Sequence, residues 1–536
     1  MNLINDPWIP VIREDGQREK IASWQIAETD NPVMDIAAPR PDFQGALYQF
    51  LIGLLQTCYA PEDNAEWHQL WITAPAPETL QKIFERFSGA FELFNPNGPA
   101  FLQENGLEAK KSEPISQLLV GEPGVNTAKK NQDLFIHRSL KNCICSSCCA
   151  TSLYSLSLNG PPGGAGHMAG LIGNGPVFCL LKGFSKTLWH QLWVNLLPQD
   201  DFCEIVEHPD ASVFPWLGEI KTSESCTSKG CPDGCSKCST YPFEKNPLHC
   251  FWGMPRRIRL LEPTRKGECE LCGTTSEFLY SHYITRPNGY RYIGGWQYPL
   301  SPMRLLDKSS PMTPLRGNQS QQCYVDWLGL LYKDDSTGTR AARNVQHFLS
   351  EKNDFLVNQK VTLNCYFFDM EPGQAKARGW YEYQMPVFQL SDDYYSEFTG
   401  FVSKLISSAS EVCKELKKQT KAAWFERPGD VKGDTSTVDA SFWQSTEDAF
   451  YQQLQTLAEQ PASTRFMPPT VAANWLKTLR QTACSLFDEW ALEGDIEDMD
   501  MKRVINARKQ LSRKINTNKH IKGLEQIAST QTTEIA

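Results

Sequence analysis

The sequence predicts an α+β chain. A large, irregular mixed α/β domain with long loops and a zinc clip is expected over residues 1–390. A four-helix bundle follows over 391–523, and a flexible tail over 524–536. Three observations predict this. The chain has 536 residues, too many for one compact core, so two or three domains are the natural division. Its texture changes near Leu390, from a region rich in Gly, Pro and aromatics to four amphipathic periods. Two Cys-x-x-Cys pairs lie far apart within the first region.

Taken in order, "WIPVI" (Trp8 to Ile12) reads as an opening strand. Asp42 to Tyr59 places Phe43, Leu47, Phe50, Leu54 and Cys58 on one helical face. From about Asn95 to Pro386, the short runs "PVFCLLKGF", "RRIRLLEP" and "TLNCYFFDM" read as strands between turns. Beyond Leu390, the first helix carries Phe398, Phe401, Val402, Leu405, Ala409, Val412 and Leu416 at helical spacing. The second, after a Ser/Thr/Asp cluster at 434–437, carries Phe442, Phe450, Leu454 and Leu457. The third starts after Pro468 and Pro469 and carries Val471, Trp475, Leu479, Leu486 and Trp490. The fourth carries Val504, Leu511 and Ile515. Such stripes with modest connecting loops predict a bundle. The fourth helix is also basic, with Lys502, Arg503, Arg508, Lys509, Arg513 and Lys514. That reads either as a solvated face or as a surface for phosphate or an acidic partner.

Composition narrows the function. An apolar fraction of 41% is ample for folded cores. The start, "MNLINDPWIPVIRED", has neither a basic n-region nor an apolar h-region, and no apolar run is long enough to span a bilayer. A cytoplasmic, reducing compartment is therefore expected, which disfavours disulfides for the 18 cysteines. A formal charge of −9 does not advertise nucleic-acid binding. A DNA reader of this composition has to place its cations locally or borrow affinity from partners.

"CICSSCCA" holds four cysteines in seven residues, Cys143, Cys145, Cys148 and Cys149. Zinc takes four soft ligands in a tetrahedron, usually as two pairs that each close a tight turn. Cys145 and Cys148 form one such pair; Cys269 and Cys272, followed by Gly273, form another. The gap between them makes this a long-range structural zinc clip joining two loops. Cys143 or Cys149 can exchange for a ligand, and buried free thiols are the plainer alternative. Cys226, Cys231, Cys235 and Cys238 in "CTSKGCPDGCSKC" match no standard finger closely, but can fold around a metal of their own. A catalytic thiol needs a base and an oxyanion hole; His137 and His167 are near in sequence, yet nothing local fixes a triad.

Two further motifs stand out. "NGPPGGAGHMAGLIGNG" (Asn159 to Gly175) is a Gly-rich loop that lets backbone amides approach phosphates or base edges, without the Gly-Lys-Ser/Thr ending of a P-loop. "MEPGQAKARG" lies between apolar runs and carries Pro372-Gly373 turn chemistry. It reads as a β-hairpin with Gln374 near its tip and Lys376 and Arg378 on one strand. A plain turn and a solvated hairpin are the bland readings of these two. No protease, hydrolase, helicase or nuclease signature has defensible spacing, so the sequence does not argue for an enzyme.

Together these pieces resemble the CasA family, the large subunits of type I-E CRISPR Cascade surveillance complexes. The resemblance covers most of the chain and rests on order. "MNLINDPWIPV" opens it; "LFIHR" precedes the first Cys-x-x-Cys; the Gly-rich loop follows; then come the second Cys-x-x-Cys, "WQYPLSPM", the Gly-Gln-Ala hairpin and the helices. It implies a subunit for antiviral defence that inspects double-stranded DNA for the short protospacer-adjacent motif (PAM). Such a subunit helps open the duplex for R-loop formation and helps recruit a helicase-nuclease. The implied partners are other Cascade subunits, the 5′ end region of the CRISPR RNA, target double-stranded DNA and the helicase-nuclease, with no membrane.

The resemblance also implies residue roles. Phe135, Ile136 and His137 match the loop near the CRISPR RNA end and the motif; many relatives have Asn where this chain has His137. Gly163, Gly164 and Gly166 match a loop against the DNA minor groove. Gly373, Gln374 and Ala375 match the hairpin tip, with Gln374 the wedge and Lys376 beside it. A family lysine that enters the minor groove aligns with Pro287, so Arg286 is expected to substitute or Asn288 to add a polar contact. The 226–238 segment looks like an insertion without a family role. Zinc shared by Cys145, Cys148, Cys269 and Cys272 would tie the 135–137 and Gly-rich loops to the segment bearing Arg286. The competing readings are a zinc-stabilised scaffold subunit of another assembly and a metal or cysteine hydrolase.

Overall fold

A computed structural model describes residues 1–122, 142–164, 166–183, 186–224, 238–264, 266–307, 310–317, 324–356, 360–371, 376–430, 435–492 and 500–530. The chain divides into two compact units. One comprises Met1–Gly317 and Asp335–Gln384; the other comprises Asn318–Asp334 and Met385–Ala536.

The first unit is mixed α/β. Strand β1 (Ile9–Arg13) lies between β2 (Arg18–Ile21) and β3 (Val33–Ile36), antiparallel to both. Its odd positions, Ile9, Val11 and Arg13, are buried, the period of two that a half-buried strand requires. Arg13 tolerates burial because Glu19 and Glu28 pair with it.

Helix α1 (Pro41–Cys58) starts on Pro41, whose fixed φ suits the first helical position. The sequence showed one apolar face, but the structure buries all of 42–58 except Gln44. Phe50 explains the central position. Its ring meets Trp8, Phe91, Phe101, Tyr154 and Trp252 edge-on, at centroid distances of 5.1 to 5.9 Å.

Two further sheets carry the regions singled out in sequence. Short strand β4 (Glu113–Pro114) and β7 (Arg257–Leu260) flank β11 (His282–Arg286). β6 (Phe178–Lys182) pairs antiparallel with β12 (Val361–Met370), which forms a long hairpin with β13 (Ala377–Val387). The expected strands at 176–184, 256–263 and 362–370 thus form, and so does the hairpin.

Between β5 (Ile144–Cys145) and the Gly-rich loop lies α2 (Ser146–Asn159), a helix the sequence did not reveal. Ser and Cys are indifferent helix formers, and Ser147–Asn159 is buried without a polar face. Part of its polar load is met within the helix, where Thr151 Oγ1 donates to the Ser147 carbonyl and Ser152 Oγ to that of Cys148, while Ser147 Oγ donates outward to the Trp8 carbonyl.

The second unit is helical: α3 (Asp392–Trp424), α4 (Ser436–Ala458), α5 (Pro469–Leu492), α6 (Met501–Thr517) and α7 (Lys519–Ser529). The fifth helix departs from the expected end of the bundle at 523. Asn518 caps α7 through the His520 amide, and Ile521 and Leu524 are buried, so apolar packing carries the helix through Gly523. Residues 324–334 also join this unit. The Tyr324 ring stacks on Phe450 at 4.1 Å, and its hydroxyl meets Thr446 Oγ1 at 2.8 Å. That attachment is non-local, so periodicity could not show it. In α6 the basic run is partly consumed: Arg508 pairs with Asp488, and Arg503 Nε donates to the Ala423 carbonyl. Among the described residues, no helix is long and apolar enough to cross a membrane.

Phe50→Ala should lower stability by about 3–5 kcal/mol, because five rings lose a shared partner. Denaturant titration checks this, with Phe50→Leu expected to cost less.

Candidate metal centre and nucleic-acid interface

The two Cys-x-x-Cys pairs meet. The sulfurs of Cys145, Cys148, Cys269 and Cys272 all lie within 4.8 Å of one another. β5 pairs with β10 (Leu279–Tyr280), which sets Cys145 opposite Leu279 and brings the second pair alongside. Cys145 caps α2, its sulfur accepting from the Cys148 amide at 3.5 Å. The second pair sits in a tight turn between β8 (Gly267–Glu268) and β9 (Thr275–Ser276), where the Gly273 amide donates to the Cys269 carbonyl at 2.8 Å.

The geometry fits a metal ion. Metal–sulfur bonds of about 2.3 Å in a tetrahedron imply edges of about 3.8 Å. Cys145 and Cys272 sulfurs are 3.8 Å apart, too far for a disulfide. The Cys145 amide donates to the Cys269 sulfur at 3.2 Å, and Thr274 Oγ1 lies 2.8 Å from the Cys272 sulfur. Such outer contacts orient thiolate ligands. Hydrogen bonds from Cys145, then Cys148, pull the Cys269 thiol down to about 6. The same neighbours, Cys145 foremost, pull Cys272 far below the ordinary thiol range. Cys148 moves the other way, pushed up first by its contact with Cys145. Four sulfurs this close cannot all ionise together unless a cation sits among them. The cluster forms without Cys143 or Cys149; burial pushes the Cys149 thiol up, as expected of a core residue.

Two rods run from this cluster to the Gly-rich loop. α2, with its 14 residues, spans about 21 Å. β10 and β11 run from Leu279 to Arg286, about 26 Å of extended chain. Their far ends are joined: the Asn288 amide donates to the Gly166 carbonyl at 2.7 Å. Asn288 itself has φ of 65°, and Gly166 has φ of 82°. A Cβ on Gly166 would lie 2.6 Å from Asn288 Oδ1 and 2.7 Å from Pro287 Cβ, so only glycine permits this approach.

The structure therefore brings Gly163, Gly164 and Gly166 together with the Arg286–Asn288 segment. Arg286 is exposed at the end of β11. The loop is closed on itself by Gly163 and His167, each amide donating into the other half at 3.0 Å. Its downstream end reaches the hairpin: a Cβ on Gly175 would meet Met370 Cγ at 2.7 Å. At the tip end of the hairpin's strands, the Glu371 amide donates to the Lys376 carbonyl at 2.9 Å. Phe135, Ile136, His137, Gly373, Gln374 and Ala375 lie outside the described residues, as do Cys226, Cys231 and Cys235.

Sequence reasoning missed Arg256. Its guanidinium lies beneath the loop, donating to the Pro161 carbonyl, and burial brings it down to about 10. It sits beside Arg257, which forks onto Glu104 at 2.7 and 2.8 Å. In sequence the two were adjacent arginines at a strand start, with nothing to separate a loop support from an ion-paired neighbour. Ser223 and Glu224 were also missed; the Ser223 amide donates to the Asn288 carbonyl at 3.0 Å.

Known proteins resemble this chain throughout. The model of a family described as CRISPR-associated protein Cse1 matches residues 2–486. A protein described as CRISPR-associated protein CasA/Cse1, from Thermus thermophilus, is 29% identical over 146 residues. That alignment covers 26% of this chain and 27% of the relative's length. Among solved structures, Thermus thermophilus CasA has a TM-score of 0.66 at 17% identity, over 98% of this chain and 99% of that one. A chain of a structure described as a CRISPR RNA-guided surveillance complex also has a TM-score of 0.66, at 16% identity, over 96% and 99%. These structural likenesses carry the fold.

Purified under reducing conditions with metal available, the protein should hold about one equivalent of a thiophilic metal. Elemental analysis checks this. Cys148→Ser should lose that metal, since three sulfurs cannot close the tetrahedron.

Proposed function

The chain belongs to the CRISPR-associated protein Cse1 family, and from that premise we propose that it is the large subunit of an RNA-guided type I-E Cascade surveillance complex. Its role is to recognise the PAM in double-stranded DNA, help open the duplex for R-loop formation and help recruit the helicase-nuclease. It does so as a non-enzymatic subunit alongside other Cascade subunits and CRISPR RNA. The observation that carries this reading is the Asn288–Gly166 hydrogen bond. It joins a close-approach glycine loop to an exposed cation on one surface, and the loop's other end abuts Met370 at the tip end of the hairpin.

Gly163, Gly164 and Gly166 form a side-chain-free floor against the minor groove, and Arg286 supplies the cation, with Asn288 as a polar neighbour. The minor groove distinguishes bases poorly, so several related motifs are read. Phe135, Ile136 and His137 contribute near the CRISPR RNA end. Gln374, flanked by Gly373 and Ala375 and followed by Lys376, is the wedge beside the motif. Wedging costs a few kcal/mol per unstacked step, roughly offset by RNA–DNA pairing and backbone contacts. Sequence beyond the motif is read by the RNA.

The metal is zinc, held by Cys145, Cys148, Cys269 and Cys272 in a closed structural site. Zinc supplies no chemistry to a reaction here; it fixes the near ends of α2 and β10. Contacts to DNA need placement within about half an ångström, which two anchored rods supply better than free loops. The helices beyond residue 390 serve as a docking face for neighbouring subunits.

The test is binding of the assembled complex, with its CRISPR RNA, to targets with randomised flanking bases at stated salt. Wild type should enrich a short motif. Gln374→Ala should lose stable strand opening, and Arg286→Ala should weaken binding to motif-bearing duplex about tenfold. Indifference to every flanking base would overturn the reading.

A further inference from the structure

Tyr241 and Phe243 form an exposed aromatic pair in the first unit. Their rings lie 5.5 Å apart and 13° from parallel. Phe243 is 84% exposed and Tyr241 38%. Single exposed aromatics are ordinary on protein surfaces; a pair already stacked with a free outer face is a different object. The turn that holds it is closed by its own hydrogen bonds. Pro242 opens a single 3₁₀ turn, Pro242–Glu244. The Tyr241 amide donates to Glu244 Oε2 at 3.1 Å, and the Glu244 amide returns to the Tyr241 carbonyl at 3.1 Å.

This turn is continuous with the Asn288 junction. The Thr240 amide donates to the Arg291 carbonyl at 2.8 Å, and the Ile293 amide to the Thr240 carbonyl at 3.0 Å. From Asn288 to Ile293 is about 16 Å of extended chain, the reach of a few nucleotides. In the same segment, Tyr290 and Tyr292 stack at 5.7 Å. Cations surround it. Lys221 pairs with Glu244 at 2.9 Å, Lys245 lies 5.5 Å from the Tyr290 ring centre, and Arg291 donates to Ser239 Oγ at 3.3 Å. Against them stand Glu244, Asp210 near Lys245, and Glu224, whose carbonyl accepts from the Cys238 amide.

We propose that Tyr241 and Phe243 are a stacking platform for an unpaired base of the displaced DNA strand. The outer face of Phe243 takes the base, and Lys221 and Arg291 face its backbone phosphates. This rests on the duplex-opening reading above. Stacking on an aromatic face tolerates any base, which suits a strand whose sequence differs with every target. The surface favours nucleic acid over an acidic protein segment because the central contact is a flat, pre-stacked ring pair rather than a pocket for an aliphatic anchor.

The experiment uses the assembled complex with CRISPR RNA and two targets. One is a complete motif-bearing duplex with 2-aminopurine in the displaced strand beside the motif. The other lacks the displaced strand over the opened region. On the complete duplex, Phe243→Ala should shorten the lifetime of the opened state about tenfold and relieve the 2-aminopurine quenching. Phe243→Trp should behave as wild type, and Tyr241→Leu should fall between. On the second target, Phe243→Ala and wild type should be equal. Identical behaviour of Phe243→Ala and wild type on both targets overturns the platform. Equal weakening on both, or loss of co-purifying subunits, also overturns it and assigns the ring to a protein contact. If wild type itself opens no motif-bearing duplex, the underlying reading fails together with the platform, an outcome distinct from a wild type that opens while the variant matches it.

Discussion

Two cysteine pairs separated by 124 residues bring four sulfurs into one cluster, and the start of α2 and the β5–β10 pairing lie at that meeting. Closing so long a loop costs conformational entropy whatever its composition. Here the cost is offset where it also fixes direction. Cys145 ends a strand and caps a helix, so the sulfurs set the start of α2 and the pairing of β5 with β10 in one place. From there a buried helix and an extended strand run to a second meeting point, where Asn288 and Gly166 share a hydrogen bond. The surface that the proposed reading assigns to DNA is the far end of this two-armed frame.

That frame reconciles an acidic chain with the proposed nucleic-acid role. The net charge is −9, and many arginines are engaged internally. Arg13, Arg257 and Arg508 pair with carboxylates, and Arg256 is buried under the Gly-rich loop. Arg286 is left exposed at a strand end beside a glycine-rich loop. A chain of net negative charge gains little non-specific affinity for DNA of its own, so on the proposed reading its partners and the RNA carry most of the binding energy. On the proposed reading this is useful, because a surveillance subunit has to release duplexes that lack the motif.

Legibility in the sequence followed the range of the interactions. The bundle helices were readable because Phe398 to Leu416 and Val471 to Leu486 repeat every turn, a local signal. The four-cysteine cluster was readable because two Cys-x-x-Cys pairs are the local spacing of a metal clip. α2 was not, because burial on every side leaves no amphipathic pattern. Nor was α7, whose Gly523 suggested a stop that Ile521 and Leu524 override by packing. The role of Asn288 was invisible in a different way. Its left-handed backbone matters only because Gly166, far away in sequence, comes within hydrogen-bonding reach.

The account's central claim is that the metal cluster holds the distant junction in place. Amide hydrogen exchange, followed before and after the metal is stripped by a chelator, tests it most directly. With metal bound, the Asn288 amide and the 160–175 loop should be protected. Without it, exchange across 160–175 and 282–290 should accelerate at least about tenfold while the helices beyond residue 390 hold their protection. Unchanged exchange at Asn288 in metal-free protein would contradict the claim and leave the cysteines with a merely local role.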